Sequence, residues 1–297
     1  MAFRFDLNQS ATRNLRRIAT TQVEKTIAEL SDGDLDRVAT VHQARKRCKK
    51  IRGLLRLVRP SIGDTYDDEN IHFRAAARKL SVVRDADAFK EAFERFRGDE
   101  GQSLDSEILD SIASRLDENA QSVARDEVDM DLRVAEFVAD MQAALDRIPS
   151  WRCTNRDTKA VSGGFVKTYR RGYEAMAKAA DIPSDENLHE WRKRVKYHWY
   201  HVRLVRDHWK RKFKKRAKRL KQLSDVLGDD HDLAVLRQFV IEEPSATPSP
   251  KAMFELVQAL DCRRHRLQHE ARQLEKPLYV ESPRSWKQRL RHRIESE

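Results

Sequence analysis

An all-α fold follows from three features of this 297-residue chain. Glycine and proline number only nine and eight, no β-branched run alternates with period two, and strong helix formers fill most of the length. Apolar residues recur at steps of three and four, the rhythm of helices that bury one face. The same pattern then returns about halfway along, so the chain reads as two related helical units. A hydrophobic fraction of 39% against a charged fraction of 36% suits slender bundles with wet outer faces better than one thick core.

A first helix is expected over about Asn8 to Leu30, with Leu15, Ile18, Val23 and Ile27 inward and Arg13, Arg16 and Arg17 on a neighbouring face. The SerAspGlyAsp run at 31–34 stops it and starts the next. That second helix ends at Pro60, whose ring and missing N–H oppose continuation. A third, about Asp67 to Arg97, turns Phe73, Ala76, Leu80, Val83 and Phe89 inward. Residues 103–148 are acidic up to Asp131, then regain an apolar face at Val134, Phe137, Val138, Met141 and Leu145, as one long helix or two. After Pro149 the plan restarts, with helices at 158–181, around His189, at about 210–242, at about 251–275 and after Pro283. ProSerAlaThrProSerPro at 244–250 reads as a linker. The expected architecture is two four-helix halves, 1–148 and 149–297, related by a pseudo-twofold.

The second helix carries the chemistry. Val41–Arg59 holds eight Lys or Arg and no carboxylate. Val41, Ala44, Cys48, Ile51, Leu55 and Val58 share a face that wants burial. One position on, His42, Arg45, Lys49, Arg52 and Arg56 make a parallel stripe along its border. In the second unit a shift of 147 places His189, Arg192, Lys193, Lys196 and Arg203 on His42, Arg45, Lys46, Lys49 and Arg56. A shift of 154 places Lys167, Arg170 and Arg171 on Arg13, Arg16 and Arg17. Two stripes of cations held beside buried faces are a candidate anion surface. Within the dense run at 210–221, Arg219 and Lys221, which overlay His72 and Arg74, are expected nearest the buried face. Asp85 and Asp232 share the register and are read as carboxylates that orient arginines. His42 and His189, set among cations, are held towards the neutral form. Each either donates to phosphate or braces a helix seam.

A net charge of +11 with a pI near 9.6 implies a polyanionic partner. Cys48, Cys153 and Cys262 stand too far apart for a CxxC pair and read as reduced thiols. The opening residues lack the apolar core of a signal peptide, and no run reaches the eighteen or so apolar residues of a membrane span. A soluble, cytoplasmic protein without metal or cofactor is expected.

The paired His-x-x-Arg-x-x-x-Lys helices, each followed some forty residues later by an LG-x-x-x-Asp type turn, resemble the CHAD domain, the conserved histidine α-helical domain. LeuGlyAspAspHisAsp at 227–232 fits the turn, and LeuSerValValArgAsp at 80–85 fits with Ser81 in place of glycine. LeuGluLysPro at 274–277 and Trp286 look like the end of such a domain, so the likeness spans the chain. The resemblance implies two four-helix bundles around a basic cavity or channel that binds inorganic polyphosphate without chemistry, with an association with polyphosphate granules. The triphosphate-tunnel domain of some relatives is not carried over, because no Glu-x-Glu-x-Lys strand is present. Trp199 stands where Arg52 does in the first repeat and interrupts the second stripe.

Three rivals share the charge. Nucleic acid suits basic helices equally well, but no helix-turn-helix, zinc finger or RNP-like aromatic signature accompanies them. A phosphate-transfer enzyme would want a P-loop, and the glycines are too few and misplaced. Membrane adhesion would need apolar faces that the bundle interior already uses.

Overall fold

The computed structural model describes the backbone of residues 3–6, 8–124, 127–155, 157–205 and 210–295, with side chains apart from 81–88, 122–129, 156–158, 206–212 and 290–297. Eleven α-helices account for nearly all of it and no strand occurs among the described residues: α1 (Ala11–Ser31), α2 (Arg37–Ile62), α3 (Thr65–Lys79), α4 (Ser81–Glu100), α5 (Ser106–Ala124), α6 (Glu127–Arg147), α7 (Asp157–Asp181), α8 (Asp185–Val205), α9 (Lys210–Glu242), α10 (Pro250–Glu275) and α11 (Pro283–Glu295). Ser10, Asp36 and Ser249 cap α1, α2 and α10, each accepting a backbone N–H three residues on.

Two boundaries differ from the sequence reading. Helix α2 runs through Pro60 to Ile62 and stops at Gly63, whose φ of 55° is a left-handed position that glycine tolerates. The proline costs the Arg56 carbonyl its helical donor. That carbonyl lies against Gly164 of α7, where a β-carbon would stand 2.7 Å from it. The expected third helix is two, α3 and α4, broken at Leu80. The break leaves the Leu80 carbonyl for Arg45 of α2, whose Nη1 donates to it at 2.8 Å. In the second unit the matching stretch is the unbroken α9.

Helix α2 is the hub, packing on α1, α3, α7 and α8. It meets α8 where Gly53 faces Tyr200, and His201 Nε2 bonds the Gly53 carbonyl at 2.9 Å. Gly53 and Tyr200 occupy the same position under the 147-residue register. Gly164 lets α7 come closer still, since its β-carbon would lie 2.0 Å from the Leu57 carbonyl oxygen. Helix α6 returns to α1 and α3, anchored by the buried Glu69 carboxylate, which accepts from Arg147 (2.8 and 3.0 Å) and from the Trp151 indole (3.3 Å).

The first unit is not a bare four-helix set. Helices α4 and α5 form a pair that reaches across and packs on α9 and α10 of the second unit. Arg263 to Asp99 at 2.7 Å and Ser111 to the Ala246 carbonyl at 3.0 Å tie that seam. Buried apolar residues from Phe5 to Trp286 make one continuous core through both units.

Candidate anion-binding site

The cationic stripe of α2 lies beside its buried face, as the spacing predicts. Val41, Ala44, Cys48, Ile51, Leu55 and Val58 are all buried, while His42, Arg45, Arg52, Arg56 and Arg59 are half-buried and Lys46 and Lys49 exposed. From Lys46 to Arg59 the band extends about 20 Å along the helix. Helix α8 flanks it. The Lys49 charge reaches His189, and the Lys46 charge reaches Lys196. Burial, then Lys193, Arg192 and Lys49, push His189 below its ordinary pKa, so its imidazole is neutral at pH 7. Burial, with Arg192 and Lys46, lowers Lys196 against the pull of Asp225 and Asp232. Lys50 is driven down to about 8 by burial beside Arg203, Arg47 and Lys46.

At its C-terminal end the band opens into a shallow cleft lined by Arg56, Arg59, Lys167, Arg171, Arg194 and two tyrosines, Tyr66 and Tyr197, with no carboxylate among its lining residues. Burial, then Arg194, Arg56 and Arg59, disfavour the charged form of Arg171. Lys167 is lowered by burial, then by Arg59, Arg171 and Arg170. Cations that raise one another's charging cost are stabilised by an anion placed among them. The cluster is pre-formed: Asn70 of α3 accepts from Arg52 (3.1 Å) and Arg56 (3.3 Å), and the Arg56 and Arg59 guanidiniums lie over Tyr197 and Tyr66 at 4.3 and 4.2 Å. Arg59 also has Asp67 at 3.6 Å, and Arg194 is paired with Glu190.

Several cations assigned to ligand from sequence have protein partners in the structure. Arg45 holds the Leu80 carbonyl. Its counterpart Arg192 lies against Gly228, 3.5 Å from where a β-carbon would be, and 3.9 Å from Asp232. Each stripe arginine thus lies against the Leu-Ser or Leu-Gly position of its own unit, a break between helices in the first and the interior of α9 in the second. Asp232 takes its hydrogen bond from Arg95 at 3.2 Å, with Arg192 at ion-pair distance only. The Asp85 side chain lies outside the described residues. Arg16 donates to the Trp151 carbonyl (2.8 Å) and Arg17 to the Arg4 carbonyl (2.8 Å), while Arg13 is exposed on α1. Lys193 pairs with Glu190, Arg170 with Glu174 and Lys221 with Asp225. Arg203 lies over the Trp199 ring at 4.8 Å. Arg219 and Lys221 are exposed rather than near the buried face, because α9 turns Leu220, between them, and Leu223 inward. Arg219 lines a separate groove against α11, and Arg74 is exposed but acts on Arg52.

Sequence reasoning missed Arg59, Arg194, Asn70, Tyr66 and Tyr197 as site residues. Arg59 ends the α2 stripe and could have been added on periodicity. Arg194 lies off its stripe and enters the cleft only through the α2–α8 crossing. Among the described residues, no group of three or more His, Cys, Asp or Glu is placed to hold a metal ion, and no helix is long and apolar enough to cross a membrane.

The described residues thus form an all-helical frame with a cationic stripe on α2 beside its buried face. The chain belongs to the CHAD domain family, whose description matches residues 17–240. No curated protein sequence matches it. Among solved structures it is similar to the CHAD domain from the plant Ricinus communis, at 15% identity and a TM-score of 0.57 over 98% of this chain and 95% of that one. It is also similar to PptA from Streptomyces chartreusis, at 15% identity and a TM-score of 0.61 over 91% of this chain and 99% of that one. At that identity the likeness concerns the fold.

Proposed function

We propose that the protein binds inorganic polyphosphate along the α2 band and in the Arg56–Arg171 cleft, and leaves the polymer chemically unchanged. Membership of the CHAD family supports the ligand class. The observation that carries the reading is the cleft itself: five cations from α2, α7 and α8, no lining carboxylate, and two tyrosines, continuous with the α2 stripe. Polyphosphate offers only charge and phosphate oxygens, so its affinity comes from charge neutralisation and counterion release. Arginine forks take two oxygens at once, and lysines at the exposed end follow a flexible chain. Helices fix the cation spacing before the ligand arrives, which limits the ordering cost of binding.

The test is binding of long polyphosphate, duplex DNA and single-stranded RNA at matched physiological salt, by the native protein and by a Lys49→Glu/Arg171→Glu variant. Polyphosphate is expected to bind most tightly, and the variant to lose at least tenfold while keeping its helical circular dichroism. Equal affinity for all three polymers, or unchanged binding by the variant, removes the proposal. Release of orthophosphate from the polymer would remove its non-catalytic part. In cells, a fluorescent fusion is expected to follow polyphosphate into granules.

A further inference from the structure

The cleft at Arg56 and Arg171 has a sister, and the chain covers it with its own first residues. Under the two registers, the cleft residues Arg56, Tyr197 and Arg194 correspond to Arg203, Lys50 and Arg47, and Lys167, Thr168 and Arg171 correspond to Arg13, Asn14 and Arg17. The sister residues come from the matching helices α8, α2 and α1, and two of them are close enough that the Arg203 charge depresses the ionisation of Lys50. The first cleft is open. Into the second runs the segment Phe3–Asp6.

Besides local bonds of Asp6 to Asn8 and Gln9, the following contacts of that segment fall on these equivalent positions or on α8 between them. The Phe3 ring lies 5.9 Å from the Lys50 ammonium and 5.7 Å from the Arg203 guanidinium. The Arg4 carbonyl accepts from Arg17 at 2.8 Å. Asp6 donates its N–H to Asn14 at 2.7 Å and accepts from Asn14 through its carbonyl at 2.8 Å. Phe5 donates its backbone N–H to the Leu204 carbonyl at 2.8 Å; Leu204 matches Leu57, whose carbonyl faces Gly164 beside the open cleft. Arg17 Nη2 donates to the Arg4 carbonyl and to Asn14 Oδ1 (2.7 Å), while its Nε is buried with no hydrogen-bond partner. Lys50 and Arg203 lie against the Phe3 ring, and Glu29, paired with Arg47, is the carboxylate on this side.

We propose that Phe3–Asp6 is a built-in cover over a second phosphate-oligomer cleft formed by Arg13, Arg17, Lys50 and Arg203, and that its displacement gives the protein one more anion site. The inference rests on the polyphosphate reading of the open cleft. Its function would be graded capture: a long polymer seated in the band can compete the segment away, and a short one cannot.

The experiment counts tripolyphosphate sites by isothermal titration calorimetry on the full chain and on a form lacking residues 2–5, with circular dichroism as the check of fold. The shortened form is expected to bind one tripolyphosphate more than the full chain, and adding Arg17→Glu and Arg203→Glu to it is expected to abolish that extra site alone. Equal stoichiometry in the two forms overturns the cover, whereas the open-cleft reading stands. Absence of binding by both forms sinks that reading and this inference with it. Should the shortened form lose helicity, Phe3→Ser in the full chain replaces it. A weaker extra site supports the cover, and an unchanged count refutes it.

Discussion

Gly164 shows how little freedom single residues have near the site. A β-carbon there would lie 2.0 Å from the Leu57 carbonyl oxygen, a backbone atom that cannot swing aside. Gly164→Ala must push α7 off α2, and we expect a loss of about 3 kcal/mol in urea unfolding, together with weaker polyphosphate binding as Lys167 and Arg171 move. A change in neither would mean that α7 shifts without strain. His201, fully buried on α8 with Nε2 on the Gly53 carbonyl, has its pKa pushed down to about 3 by burial. The unfolded state, titrating near 6.5, binds the proton more readily. The stability of this neutral histidine is therefore intact above pH 6.5 and is lost as pH falls towards 3. The loss is about 2 kcal/mol at pH 5 relative to pH 7.5, and His198, also lowered by burial, adds to it in the same direction. Chemical denaturation of the native protein and His201→Gln at both pH values checks this, with a shallower pH dependence expected in the variant.

At the scale of helices, packing explains a pairing that the sequence displays without a reason. The stripe arginine and the Leu-Ser or Leu-Gly position some forty residues later belong together because Arg45 donates to the Leu80 carbonyl and Arg192 lies against Gly228 inside α9. Arg45→Leu is expected to lower stability by about 2 kcal/mol, the order of a hydrogen bond to a charged donor, while reducing polyphosphate affinity less than Lys49→Leu does. The reverse ranking would make Arg45 a ligand contact first. The amphipathic faces of α2, α7 and α8 and the start of α9 were legible, because burial imposes a period that survives in the residues. The break at Leu80 was not, since Leu-Ser carries no helix-breaking signal. The run through Pro60 was hidden for a similar reason: the carbonyl it frees meets a glycine on another helix. The cleft was legible in its α2 and α7 cations and illegible in Arg194 and Tyr197, which depend on where two helices cross.

Across the whole molecule, the charge is unevenly assigned. Asp99 and Glu100 at the end of α4 pair with Arg263 and Arg266 of α10 at the far seam, while the cleft between α2, α7 and α8 has five cations and no carboxylate in its lining. Polyphosphate affinity should therefore fall steeply with salt. If five cations are neutralised, the logarithmic slope is about −3.5 by the arithmetic of single-stranded polymers. Lys46→Gln with Lys49→Gln should flatten it by about 1.4 units. A slope indifferent to these lysines would place the polymer off the band.

The reach of α4 and α5 onto α9 and α10 bears on how a polymer gets in. With one apolar interior running through both units and this clasp across their far side, α2 and α8 are not free to part like jaws. On the proposed function, a polymer would enter laterally, phosphate by phosphate, and leave by peeling from an end. Residence time would then lengthen with polymer length even where the strength of each contact stays the same.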